Sequence, residues 1–196
     1  MKRRNVLSAL AASAAVPSAA SAQSADGWSN PFARALRDSF IEHWKDTREY
    51  TLAMLDAMPA DGFTSKPDPA QRTFGEQMVH LAIANNAYFR ALAVLPVPDS
   101  LPMDRNVIAK QINQADKAAV RRYVADSFSY TAAVLEKMVE KDLLRKDVNF
   151  GRNPHSGTDV LFRAYMHTAH HRGQTVVYLR VKGITPPVWK FEPTAG

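Results

Sequence analysis

The chain has 196 residues, a formal net charge of +6 and a hydrophobic fraction of 46%, enough for one folded domain with its own core. It contains no cysteine, which removes disulfides, thiolate metal ligands and cysteine nucleophiles together. Half of the net charge comes from Lys2, Arg3 and Arg4, and the remaining charges are mixed in sign, which argues against a nucleic-acid-binding surface.

Met1 to Ala22 reads as an export signal removed from the mature protein. Lys2-Arg3-Arg4 is a basic start, Val6 to Val16 an apolar stretch rich in Ala and Ser, and Ala20-Ser21-Ala22 a small-x-small site that places the cut before Gln23. The apolar stretch is too short for a stable membrane anchor. Arg3-Arg4-Asn5-Val6-Leu7 also resembles a twin-arginine signal, so both export routes stay open. The expectation is a periplasmic or secreted protein whose residues 23–196 form a single domain.

Four main helices are predicted. The first runs from Pro31 or Phe32 to Asp56, with Asn30 or Ser29 as cap and Phe32, Leu36, Phe40, Trp44, Thr51, Met54, Leu55 and Met58 at helical spacing. After a loop from Met58 to Pro69, the second runs from Thr73 to about Val94, opened by a Thr73-x-x-Glu76 capping box. Leu95 to Pro102 is an extended crossing, and Asp104 to Asn113 a short helix. The third main helix covers Asp116 to Val139, with Lys141 to Lys146 as a solvated helix end. Asp147 to Gly157 is expected to be a polar loop. The fourth helix runs from Thr158 to Val181 or Lys182, with Gly183 as its C-cap. No run alternates long enough for a strand, except Val188 to Phe191. The fold class is all-α: a four-helix bundle with long crossing loops.

Three of the six histidines fall within five residues of the fourth helix: His167, His170 and His171. At ~100° per residue, His171 lies ~40° from His167, toward the face centred on Leu161, Ala164, Thr168, Thr175 and Leu179. His170 lies about −60° from His167, toward solvent. The i, i+4 pair His167 and His171 is therefore the one whose imidazoles can share a metal ion. His80, on the second helix at the edge of the stripe Phe74, Leu81, Asn85, Tyr88 and Leu92, is the candidate third ligand. Glu76 caps that helix or orients His80. His43 reads as structural, and His155 as a lid group or as having no role.

Other chemistries lack their residues. H-E-x-x-H is absent, as are the E-x-x-H motifs of di-iron bundles. Ser156 lies near His155 and Asp159 but outside any G-x-S-x-G context, and there is no glycine-rich phosphate loop.

His80 within Glu-Gln-Met-Val-His-Leu and the run His167-Thr-Ala-His-His171-Arg172-Gly173-Gln174, followed by Arg180-Val-Lys-Gly183 and Pro186-Pro187, resemble the DinB-like, damage-inducible metal-binding four-helix bundles. The likeness spans about residues 33–187. It implies a three-histidine site of His80, His167 and His171 holding a divalent ion, zinc or nickel first, with open positions for water. It also implies activation of a small thiol for transfer or isomerisation, and homodimers are common in that family. The export signal sets this chain apart from cytosolic members. Two functions follow as expectations: a metal-dependent thiol transferase or hydrolase acting on an unidentified small molecule, or a metal-binding, stress-related bundle without turnover. A pocket lined by Tyr88, Gln174 and Tyr178 would fit the first, and an apolar seal the second.

Overall fold

The computed structural model describes residues 27–188; the leader and, beyond Val188, the expected C-terminal strand lie outside the described residues. Each long helix begins where a side chain takes up its first free N–H groups. Asn30 accepts from the amides of Phe32 (3.0 Å) and Ala33 (3.2 Å), with Pro31 in the first turn, to open α1 (Pro31–Ala57). Thr73 and Glu76 form the capping box that opens α2 (Phe74–Ala91): Thr73 Oγ1 accepts from the Glu76 amide, and Glu76 Oε2 from the Thr73 amide at 2.7 Å. Asp104 caps the short α3 (Arg105–Gln111), and Asp116 caps α4 (Lys117–Lys137). Ser156 caps α6 (Gly157–Val181), which ends at Gly183, a residue at φ +73° where glycine carries no steric penalty.

The four long helices close a ring. α2 packs against α4 and α6, and α1 packs against the same two. Trp44 fills the centre, its ring 5.2 Å from Phe89 and 5.4 Å from Phe128, and its indole N–H donates to Thr131 Oγ1 at 2.9 Å. That bond lets a large aromatic be buried without an orphaned donor. The crossing after α2 is fastened to α4 by two tyrosines: Tyr130 O–H donates to the Leu95 carbonyl (3.2 Å) and Tyr123 O–H to that of Pro102 (2.6 Å).

The chain departs from expectation in four places. α2 stops at Ala91, and the backbone turns through Ala93 at φ +56°. Lys141 to Lys146 is not a solvated end of α4: a separate helix, α5 (Glu140–Leu144), buries Leu143. Asp147 to Gly157 is not a loop but a hairpin, β1 (Val148–Phe150) antiparallel to β2 (Asn153–His155), turning at Gly151 with φ +72°. Strands of three residues are too short to show alternation, and Pro154 conceals the second one. Phe32 is 74% exposed rather than part of the core. Among the described residues, no helix is long and apolar enough to cross a membrane.

Candidate metal centre

α2 and α6 lie side by side, and this packing brings His80 to the pair on α6. Ring centroids are 4.2 Å apart for His167 and His171, 4.5 Å for His80 and His171, and 5.4 Å for His80 and His167. Each ring offers a nitrogen, and these nitrogens all lie within 4.8 Å of one another, close enough to hold one metal ion. His167 Nδ1 is buried without a hydrogen-bond partner, the kind of polar atom that a bound cation or water satisfies.

Their protonation suits a cation. Burial, with Arg72 next in effect, holds His80 down to about 4. Burial, then the neighbouring His171, does the same to His167, also about 4. Burial lowers His171 as well, opposed by its contact with Gln174. All three are neutral donors at pH 7, so an incoming ion displaces no proton. For His80 and His167 the folded value lies below the unfolded value of 6.5, so the unfolded chain binds more protons between pH 6.5 and about 4. Stability of the metal-free protein is therefore full above pH 6.5 and declines as pH falls through about 4. The denaturant midpoint should drop across that window, and less steeply in a His80→Gln/His167→Gln variant. Equal slopes for the two proteins would contradict the burial of neutral imidazoles.

His171 is held from behind by two glutamines. Gln77, buried one turn before His80 on α2, has Nε2 2.7 Å from His171 Nδ1 and also hydrogen-bonds Gln174. Gln174 Oε1 lies 3.1 Å from the same Nδ1, and its Nε2 3.0 Å from His170 Nε2. With Nδ1 so engaged, Nε2 is the atom of His171 left for a cation. An imidazole that offers Nε2 carries its proton on Nδ1 and donates from there. Gln174 Oε1 can accept that proton, and Gln77 Nε2, which donates to the same oxygen, holds Gln174 in place to do so. Gln77→Leu is expected to weaken zinc binding by about tenfold or more. Gln77→Glu places a carboxylate acceptor beside His171 Nδ1 itself and should bind near the wild-type level. Equal zinc affinity in the leucine variant, read by competition with a chelating dye, would remove Gln77 from this role.

Of the other histidines, helical angle places only His170, and His43, read as structural, is exposed. His170 touches the edge of the cluster, its ring 4.9 Å from that of His171 and its Nε2 against Gln174, but it is not one of the three rings whose nitrogens converge. His155 Nδ1 bonds Asp159 Oδ2 at 2.7 Å, and Arg163 donates to the same oxygen at 2.8 Å, a cluster that ties β2 to the start of α6. His43 is exposed on α1, in a shallow apolar groove with Phe40, Phe162 and Tyr165. Of the expected lining residues, Gln174 and Tyr178 border a cavity of about 410 Å³ with Arg72 and Gln77. Tyr88 instead packs between His167 (5.8 Å) and Phe150 (4.4 Å). Glu76 spends one oxygen on its capping box. Gln77 was the residue to find from sequence: an amide three positions before His80, on the same helix face.

The fold and site together define an all-α bundle with a three-imidazole cluster between its second and last helices. The model of the DinB family matches residues 30–194, and the chain belongs to that family. Two solved structures share the fold. A DinB-like protein from Bacillus cereus aligns with a TM-score of 0.66 and 21% identity, covering 78% of this chain and 96% of its own. A DinB-like protein from Bacillus subtilis, YjoA, aligns with a TM-score of 0.59 and 18% identity, covering 77% and 96%. No curated protein matches the chain.

Proposed function

We propose that this protein is an exported metal-dependent enzyme. In this reading His80, His167 and His171 hold one divalent ion, zinc or nickel, and a small molecule is altered by thiol transfer or hydrolysis. The convergence of three neutral imidazoles on one point carries the reading. With three protein ligands and, among the described residues, no fourth beside them, the set matches metal centres that keep a position for substrate or water. A bound divalent ion would supply Lewis-acid charge there and make a thiol or water a stronger nucleophile at neutral pH.

The chain's own contribution is placement. α2 and α6 fix the imidazoles from two sides, and the glutamines fix the ring of His171. A polar cavity bordered by Arg72, Gln77, Gln174 and Tyr178 lies beside the glutamines that hold His171, and a second cavity is lined by His80 itself, which favours turnover over a sealed storage site. The test is turnover by zinc-loaded protein of an aryl halide with a small thiol, and of a nitrophenyl ester, each compared with His171→Ala. Zinc bound without turnover of either class would favour the non-catalytic metal-binding bundle.

Export rests on the sequence of residues 1–22. The intact mass of protein recovered from the periplasm should correspond to a chain beginning at Gln23. A full-length mass would overturn the assignment.

A further inference from the structure

Among the described residues, carboxylates close off Arg37 (Asp38), Arg121 (Asp56), Arg145 (Asp147), Arg163 (Asp159) and Lys182 (Asp61). Arg72 and Arg105 are not closed off in this way. Among the described residues neither forms an ion pair, yet both line one cavity of about 230 Å³ that His80 also lines. The rest of its wall is largely aliphatic, from Val79, Ile83 and Ile108. Glu76 also lines it, with one oxygen accepting the Thr73 amide, so two guanidinium groups face a single, partly engaged carboxylate.

Both arginines are delivered by fixed backbone. The carbonyl of Arg72 accepts the O–H of the buried Tyr178 at 2.6 Å, which ties the residue to α6. Arg105 opens α3, whose Ile108 is buried, and the chain just beyond α3 rests its Gln114 carbonyl against Gly75 of α2. Guanidinium groups bind carboxylates through paired, charge-assisted hydrogen bonds.

We propose that this cavity is the substrate pocket and that it selects a small organic anion. The carboxylate would be held by Arg72 and Arg105, a short aliphatic body would lie against Val79, Ile83 and Ile108, and the reacting end would point toward His80. The assignment rests on the metal reading above and names the substrate class for it.

The test uses calorimetry on zinc-loaded protein with two thiols of similar length, mercaptopropionate and mercaptoethanol. Wild type is expected to bind the carboxylate about tenfold more tightly, within what one charge-assisted hydrogen bond provides. In Arg72→Gln/Arg105→Gln the ratio should fall to near one with zinc content unchanged. A second arm needs no metal: succinate should raise the melting temperature of metal-free wild type and not that of the double variant. Equal affinity for the two thiols in zinc-loaded wild type, or a preference that survives the double substitution, overturns the anion pocket. Protein that binds succinate through these arginines but takes up no zinc overturns the metal reading instead.

Discussion

His171→Ala is expected to purify with less than about a tenth of the zinc that wild type retains, wild type holding close to one ion per chain. His171 is the central ring of the three, the one nearest both others, and losing even an outer partner of a metal ligand costs about 10–100-fold in affinity. Loss of a ligand should cost at least that. Elemental analysis of protein made without an affinity tag reads the result directly. A second readout follows from linkage, because an ion that binds only the folded state stabilises it. At a hundredfold excess over its dissociation constant the gain is about 2.7 kcal/mol, or about 5–10 °C in melting temperature for a domain of this size. Added zinc should move the melting temperature of wild type and leave the variant unmoved. Wild type that takes up neither zinc nor nickel would sink the enzyme reading and leave a helical bundle without an assigned role.

Gly75→Ala should be the most damaging single-methyl change near the site. A Cβ at this position would lie 1.8 Å from the Gln114 carbonyl oxygen, which belongs to backbone and cannot swing aside as a flexible side chain would. To admit it, the segment between α3 and α4 must lift off α2. A loss of roughly 2–4 kcal/mol, about 5–15 °C in melting temperature, is expected. Gly173→Ala is the control. Nothing lies within 4 Å of its Cβ, so in mid-helix the substitution should stabilise the protein by about 0.5–1 kcal/mol. If both substitutions proved equally mild in thermal melts, the tight approach of Gln114 to α2 would be wrong. So would the placement of Arg105 and Ile108 that depends on it.

The sequence by itself determined whatever is local to a helix. Asn30 and Thr73 could be recognised as caps, and Asp104 and Asp116 as the starts of their helices, because a cap acts within its own first turn. Angular position around α6 separated His167 and His171 from His170 for the same reason: it needs only the pitch of the helix. Three-residue strands, the buried Leu143 and the exposure of Phe32 depend on neighbours far along the chain, and those readings failed.

Only the tertiary structure decided how α2 meets α6. One residue of rotation or a turn of sliding would leave His80 and Gln77 on a helix with the same periodicity but no contact with His171. Interhelical register is set by the packing of many side chains at once, with no short pattern to read. It is this register that turns a pair of histidines into a three-nitrogen site. The gathering of Arg72, from a loop, and Arg105, from a short crossing helix, at one cavity has the same origin. Residues 33 apart in sequence share a pocket because a glycine at position 75 lets two backbones touch.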